Sequence, residues 1–229
     1  VSLTNHAVEE LQNKEFFNKN NKAIQVIRTC TNLEKFTVES HEVVKNPIKF
    51  IHLGSVDTAY EIDGVIDFFI FYEEKSKSKI NFVNKGNHKL IKDKCTGKNL
   101  NPKKYEITSK EFSEIPKVLN ESSLGIFNAK KNFSIKASLP TKIGEFLACG
   151  LPIICNNFND DIVKLIENNN VGLIVDFTNY DKYEEYFDSL QNLLLDKVIK
   201  KRCREVARKN FSLEDGINRY INFYDQILS

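Results

Sequence analysis

The segment Pro140-Thr-Lys-Ile-Gly-Glu-Phe-Leu-Ala-Cys-Gly-Leu-Pro-Ile-Ile-Cys155 constrains this chain more than any other. Ile143, Phe146 and Leu147 recur three and four apart, so they share one helix face. Pro140 suits the first turn of that helix, where a missing N–H costs little. Gly150 suits the left-handed residue that ends it, and Pro152 forbids its continuation. Ile153-Ile154-Cys155 then reads as a short buried strand. Glu145 stands about one and a half turns into the helix. A helix N-terminus offers free backbone N–H groups to a phosphate. A carboxylate one turn further in accepts hydrogen bonds from sugar hydroxyls. Together they form a grip for a nucleotide, by its diphosphate and its ribose.

Around this block, strands and helices alternate. Strands are expected at Phe50–Leu53, Ile80–Val83, Tyr105–Ile107, Leu124–Phe127, Ile153–Cys155 and Gly172–Val175. Helices are expected at Tyr60–Tyr72, Asn87–Lys94, Phe112–Asn120, Asp160–Asn168, Tyr180–Leu195 and Lys197–Asn210, with Pro116 confined to a first turn. Ser212-Leu-Glu-Asp215 resembles a capping box, and Leu213, Ile217, Tyr220, Tyr224 and Leu228 share one face of the last helix. Strands spaced by helices, without hairpin turns, imply an α/β fold with a doubly wound parallel sheet. Ligands of such sheets bind beyond the carboxyl ends of the strands. The loops there are Gly54-Ser55, Lys85-Gly86, Ile107-Thr108-Ser109 and the long run from Phe127 to Pro140. Upstream, Val1–Leu3 reads as a strand feeding a Thr4-capped helix, Asn5–Phe17, and Ala23–Ile27 as a second strand. Residues 37–47 are polar and end at Pro47, which places a domain boundary between 1–47 and 48–229.

Composition removes several classes. Of 229 residues, 41% are hydrophobic, enough for a proper core. Thirty-three basic and 31 acidic residues leave a net charge of +2, which argues against an electrostatically driven nucleic-acid binder. The five cysteines contain no Cys-x-x-Cys pair, so a reduced, cytoplasmic protein is the simplest reading. Association with the inner face of a membrane stays open. The histidines are scattered and no Asp-x-Asp occurs, so no metal is expected. His52, between Ile51 and Leu53, reads as a hydrogen-bonded structural histidine. The chain contains no Met, not even at its start, so it is expected to begin inside a longer protein.

The 140–155 block resembles the donor-binding segment of GT-B glycosyltransferases, above all the group-1 family, family 4. Glu145 matches the second Glu of that family's paired-Glu pattern, and Ala148, Gly150, Pro152 and Ile154 match its tail. Ala137 stands where the first, sugar-contacting Glu would be. Residues 28–36 resemble the family's hinge through Asn32 and Phe36. The resemblance implies that residues 1–47 end an N-terminal acceptor domain and that 48–229 bind a nucleotide diphosphate sugar. It implies donor contacts from Gly54, Ser55, Ile107, Lys136, Ser138, Leu139, Thr141, Lys142 and Glu145. Ser55 occupies the place of an Arg that reaches the diphosphate, so Lys136 or Lys142 must supply that charge, or backbone N–H groups alone do. Lys142, in the Pro-Thr-Lys turn, is the expected catalytic group, stabilising the departing diphosphate.

The implied activity moves a sugar from a nucleotide diphosphate to an acceptor hydroxyl, on a glycan or a lipid-linked sugar, in surface polysaccharide or glycolipid synthesis. No cofactor beyond the donor is expected. With most of the acceptor domain absent, this chain is expected to bind nucleotide weakly and to transfer nothing alone. Two rivals stay open: a non-catalytic nucleotide-sugar-binding module, and a GT-B epimerase.

Overall fold

Strand β1 (Ile48–Leu53) lies inside a parallel sheet, paired with β3 (Ser78–Val83) on one side and β5 (Leu124–Ala129) on the other. The architecture comes from a computed structural model, which describes residues 1–13, 23–40 and 47–228. Beyond β3 the sheet ends at β4 (Tyr105–Thr108); beyond β5 it continues through β6 (Ile153–Cys155) to β7 (Gly172–Ile174). The order β4-β3-β1-β5-β6-β7 reverses direction between β1 and β5. Loops leaving those two strands diverge to opposite sides, which opens a crevice at their carboxyl ends.

Side-chain alternation builds one core on each face of the sheet. Phe50, Ile126 and Ile154 point to the face covered by α2 (Asp63–Lys75), α3 (His88–Gly97) and α8 (Tyr183–Leu195). Ile51, Phe127, Ile153 and Cys155 point to the other face. That face is covered by α4 (Ile115–Asn120), α6 (Thr141–Ala148), α7 (Asp160–Asn169) and α9 (Ile199–Phe211). Both faces are buried, which is why the strands read as near-continuous apolar runs.

Helix α6 is the element that places the site. Its apolar stripe, Ile143, Phe146 and Leu147, is fully buried. It ends as its sequence implies, with Gly150 at φ 77 behind a Cys149 cap. Gly125 of β5 lets it approach closely, since a Cβ there would stand 2.5 Å from the Phe146 ring. Pro140 proves to be the N-cap rather than a residue of the first turn; its extended backbone carries the chain in from the loop.

Other expectations need correction. The helix expected from Tyr60 starts at Asp63, because Tyr60–Glu61 form a short strand, β2, antiparallel to Ala129 and Asn128 of β5. The loop before α6 contains a short helix, α5 (Phe133–Lys136), capped by Asn132. The expected strand Ala23–Ile27 reduces to one bridge between Ser2 and Val26. Helix α1 (Asn5–Gln12) is capped by Thr4 as expected; its extension to Phe17 lies outside the described residues. The last helix, α10 (Leu213–Leu228), buries Gly216 and Phe223, while Leu213, Ile217, Tyr220, Tyr224 and Leu228 stay exposed.

The segment 28–40 is fastened to the domain rather than loose. Thr31 bridges Ser212, and Phe36 is buried. The Arg204 guanidinium of α9 donates to the carbonyls of Leu33, Phe36 and Ala148. Among the described residues no helix is long and apolar enough to cross a membrane.

Candidate functional site

The crevice at the end of β1 begins with Gly54, at φ 114. Its N–H donates to the Val83 carbonyl and its own carbonyl accepts from Asn84 Nδ2, so the turn is pinned across the β1–β3 pair. Ser55 follows and accepts at Oγ from the Thr58 hydroxyl at 2.7 Å. A cleft of ≈ 370 Å³ opens beside this turn, lined by Gly54, Ser55, Asn84, Lys85 and Phe112 among others.

Lys142, in the first turn of α6, comes to the back of the same turn. A Cβ on Gly54 would stand 3.3 Å from its Nζ, so glycine is what leaves room for the ammonium. Only 7% of Lys142 is exposed, and Nζ has no hydrogen-bond partner. It lies 3.4 Å from the centroid of the Tyr60 ring and 5.0 Å from that of Phe127. Burial pulls its pKa down to about 7, against a smaller upward pull from the Glu145 carboxylate. Glu145, one turn on and half-buried, is pushed up by burial and drawn back by Lys142. A buried cation without a hydrogen-bonded anion is costly, and such groups gather at functional sites.

His52 serves the scaffold. The β1–β5 ladder pairs Phe50 with Leu124 and Ile51 with Gly125, and beyond it His52 Nδ1 donates to the Ile126 carbonyl at 3.1 Å. Burial first, and the Lys142 charge second, lower its pKa to about 3, so the ring is neutral.

The remaining expected site residues are more dispersed. Ser138 is half-buried, and its carbonyl accepts from Asn159 Nδ2. Leu139 packs into the core at the approach to α6. Thr141 is exposed as the first residue of α6. The N–H groups of Thr141 and Lys142 precede the bond from Ile143 N–H to the Pro140 carbonyl, so they have no acceptor within the helix. Ile107 is half-buried on the edge strand β4, two strands from β1, and packs against the core on one face of the sheet. Lys136 ends α5, and its side chain lies outside the described atoms. Sequence reasoning missed Tyr60 and Phe127. The signal for Tyr60 was the alternation Tyr60-Glu61-Ile62 ahead of Asp63, an acidic residue suited to a helix start.

The sequence pattern of the family described as glycosyl transferases group 1 matches residues 34–210. The chain belongs to that family. Among curated proteins no sequence matches it. Solved structures that share its fold include sucrose-phosphate synthase from Thermosynechococcus elongatus, at TM-score 0.72 and 14% identity, covering 96% of this chain and 56% of that one. A glycosyltransferase from Rickettsia africae superposes at TM-score 0.73 and 18% identity, over 99% of this chain and 62% of that one. HepE from Anabaena, solved in complex with UDP-glucose, superposes at TM-score 0.69 and 12% identity, over 88% and 57%. The architecture is thus the Rossmann-like one of GT-B glycosyltransferases. The chain spans less than two thirds of the length of each of these three structures.

Proposed function

We propose that residues 48–229 form the donor half of a glycosyltransferase and that residues 1–47 belong to its acceptor half and hinge. The donor is a nucleoside diphosphate sugar. The observation that carries this reading is Lys142, a buried ammonium without a hydrogen-bond partner, held against the Gly54 turn at the sheet's reversal point. A diphosphate supplies the anion that this cation lacks. The N–H groups of Thr141 and Lys142, without acceptors in the helix, add dipolar attraction. Glu145, one turn further along α6, accepts hydrogen bonds from the ribose hydroxyls. Anabaena HepE, of the same fold, holds UDP-glucose.

In the reaction, the bond between the sugar's anomeric carbon and the diphosphate oxygen breaks as an acceptor hydroxyl attacks and its proton passes to a base on the acceptor half or to the departing diphosphate. The diphosphate leaves with an added negative charge. Lys142 stabilises that charge from a water-poor site, where an ammonium acts more strongly than in bulk water. The acceptor, a glycan or lipid-linked sugar, meets a surface formed largely by chain beyond these residues. A cytoplasmic location, at the inner face of a membrane, fits such an acceptor. A binding module without chemistry is the rival, favoured by Ala137 in place of the sugar-contacting Glu; donor hydrolysis by the full-length protein would eliminate it.

The test is thermal unfolding of the chain with UDP, GDP, ADP or CMP, repeated with Glu145→Ala. Binding at ten times Kd stabilises by about 1.4 kcal/mol. A shift with one nucleoside diphosphate that disappears in Glu145→Ala is the expected result. No shift with any nucleotide, here and in the full-length protein, would refute the donor-site reading.

A further inference from the structure

We propose that Tyr60 is the positioning residue of Lys142: its ring face holds the buried ammonium at the Gly54 turn without using any of its three N–H donors. The proposal rests on the donor-site reading for its purpose, though not for its geometry.

A salt bridge or a hydrogen bond would also hold a lysine in place, but each would occupy donors that a diphosphate needs. A π face attracts the charge without taking an N–H. In the structure Nζ lies 3.4 Å from the Tyr60 centroid and makes no hydrogen bond. Phe127 meets the Tyr60 ring edge-on, with centroids 5.8 Å apart at 83°, and so backs the same wall.

A positioning residue must itself be held, and the loop that carries Tyr60 is fastened at several points. Asp57, in a left-handed conformation at φ 62, donates its N–H to the Tyr60 carbonyl at 2.8 Å. Lys130 Nζ donates to the Asp57 carbonyl at 2.8 Å, and Lys130 N–H to the Ala59 carbonyl at 2.9 Å. Asn87 Nδ2 donates to the Val56 carbonyl at 3.1 Å. Pairing of β2 with the end of β5 then fixes the ring itself. The titratable groups facing Lys142 are His52 from β1, Tyr60 from β2 and Glu145 from its own helix. Burial keeps the Tyr60 hydroxyl protonated, with a pKa pushed up to about 12. His52 is neutral above about 3. Lys142 is therefore the cation of this cluster; Glu145 draws its pKa up against desolvation, and the Tyr60 face adds attraction for the charged form.

The test follows Lys142 by NMR of the chain labelled with ¹³Cε-lysine, its resonance assigned by loss in Lys142→Met. In the wild type and in Tyr60→Phe, the ε-methylene signal is expected upfield, in the ring's shielding cone, with a titration midpoint near neutrality. In Tyr60→Leu, which keeps apolar bulk but removes the π face, the upfield displacement is expected to vanish. The midpoint then falls by about one unit. A signal and midpoint unchanged in Tyr60→Leu, or Tyr60→Phe behaving like Tyr60→Leu, would overturn the proposal. UDP, GDP and ADP are then added to each sample. The one that binds is expected to move the Lys142 signal, and to bind about tenfold more weakly to Tyr60→Leu at neutral pH. A signal that follows Tyr60 but responds to none of the three upholds the positioning and refutes the donor-site reading instead.

Discussion

Replacing Lys142 with Met is expected to stabilise the ligand-free chain and to abolish its binding of nucleoside diphosphate. Methionine is unbranched and of similar length, so it fills the space over Tyr60 and Phe127 without a charge. The magnitude follows from the depressed pKa. Unfolded, the lysine titrates near 10.5; folded, near 7. At about 1.36 kcal/mol per unit, that gap represents about 4 kcal/mol of native-state penalty at pH 7. That figure is already net of the Tyr60 contact and is an upper bound; replacing a buried charge by apolar bulk of similar size commonly gains about 1–4 kcal/mol, so a gain of about 2 kcal/mol is expected for the variant. The sign with pH is fixed. Between the two pKa values the unfolded chain binds the extra proton, so wild-type stability rises with pH across that window. The advantage of Lys142→Met is therefore largest below neutrality and shrinks toward zero as pH approaches the unfolded value. Urea unfolding of both proteins at pH 6, 8 and 10 measures it. A variant less stable than wild type at pH 6, or a gain equal at all three pH values, would refute the argument that Lys142 is a desolvated cation. Retained nucleotide binding would refute its role.

Two further substitutions test the scaffold around that site. Arg204→Ala leaves the carbonyls of Leu33, Phe36 and Ala148 without their shared donor; the expected cost is about 2–3 kcal/mol, with limited proteolysis newly admitted within 28–40. Denaturant titration checks the first, and a protease time course with mass spectrometry the second. In Gly172→Ala the new Cβ would stand 2.1 Å from the Ile153 carbonyl oxygen. Because that atom is backbone, β7 must shift from β6, and a loss of more than about 2 kcal/mol is expected in the same titration.

Much of this architecture was legible before any coordinates. The helix, turn and strand of 140–155 stand where periodicity and the Gly150–Pro152 stop place them. Those signals act within a few residues of one another. Strand β5 was legible only as far as Phe127, because its last residues, Asn128 and Ala129, extend by pairing with β2, far away in sequence. For the same reason the helix expected from Tyr60 starts later, at Asp63: tertiary pairing drew Tyr60 and Glu61 into a strand. The stripe of α10 is amphipathic in sequence, yet most of it meets no core among the described residues.

Taken alone, the sequence determined the fold class, the helix proposed to grip the ligand and the candidate roles of Lys142 and Glu145. Helical and strand periods are local, so they survive without coordinates. The protonation state of Lys142 is not local. It depends on Gly54 leaving room behind β1, on Phe127 ending β5 and on Tyr60 arriving from an antiparallel strand. Desolvation is a property of everything packed around a group. Only the tertiary structure could therefore decide that this lysine is buried, unpaired and held by an aromatic face.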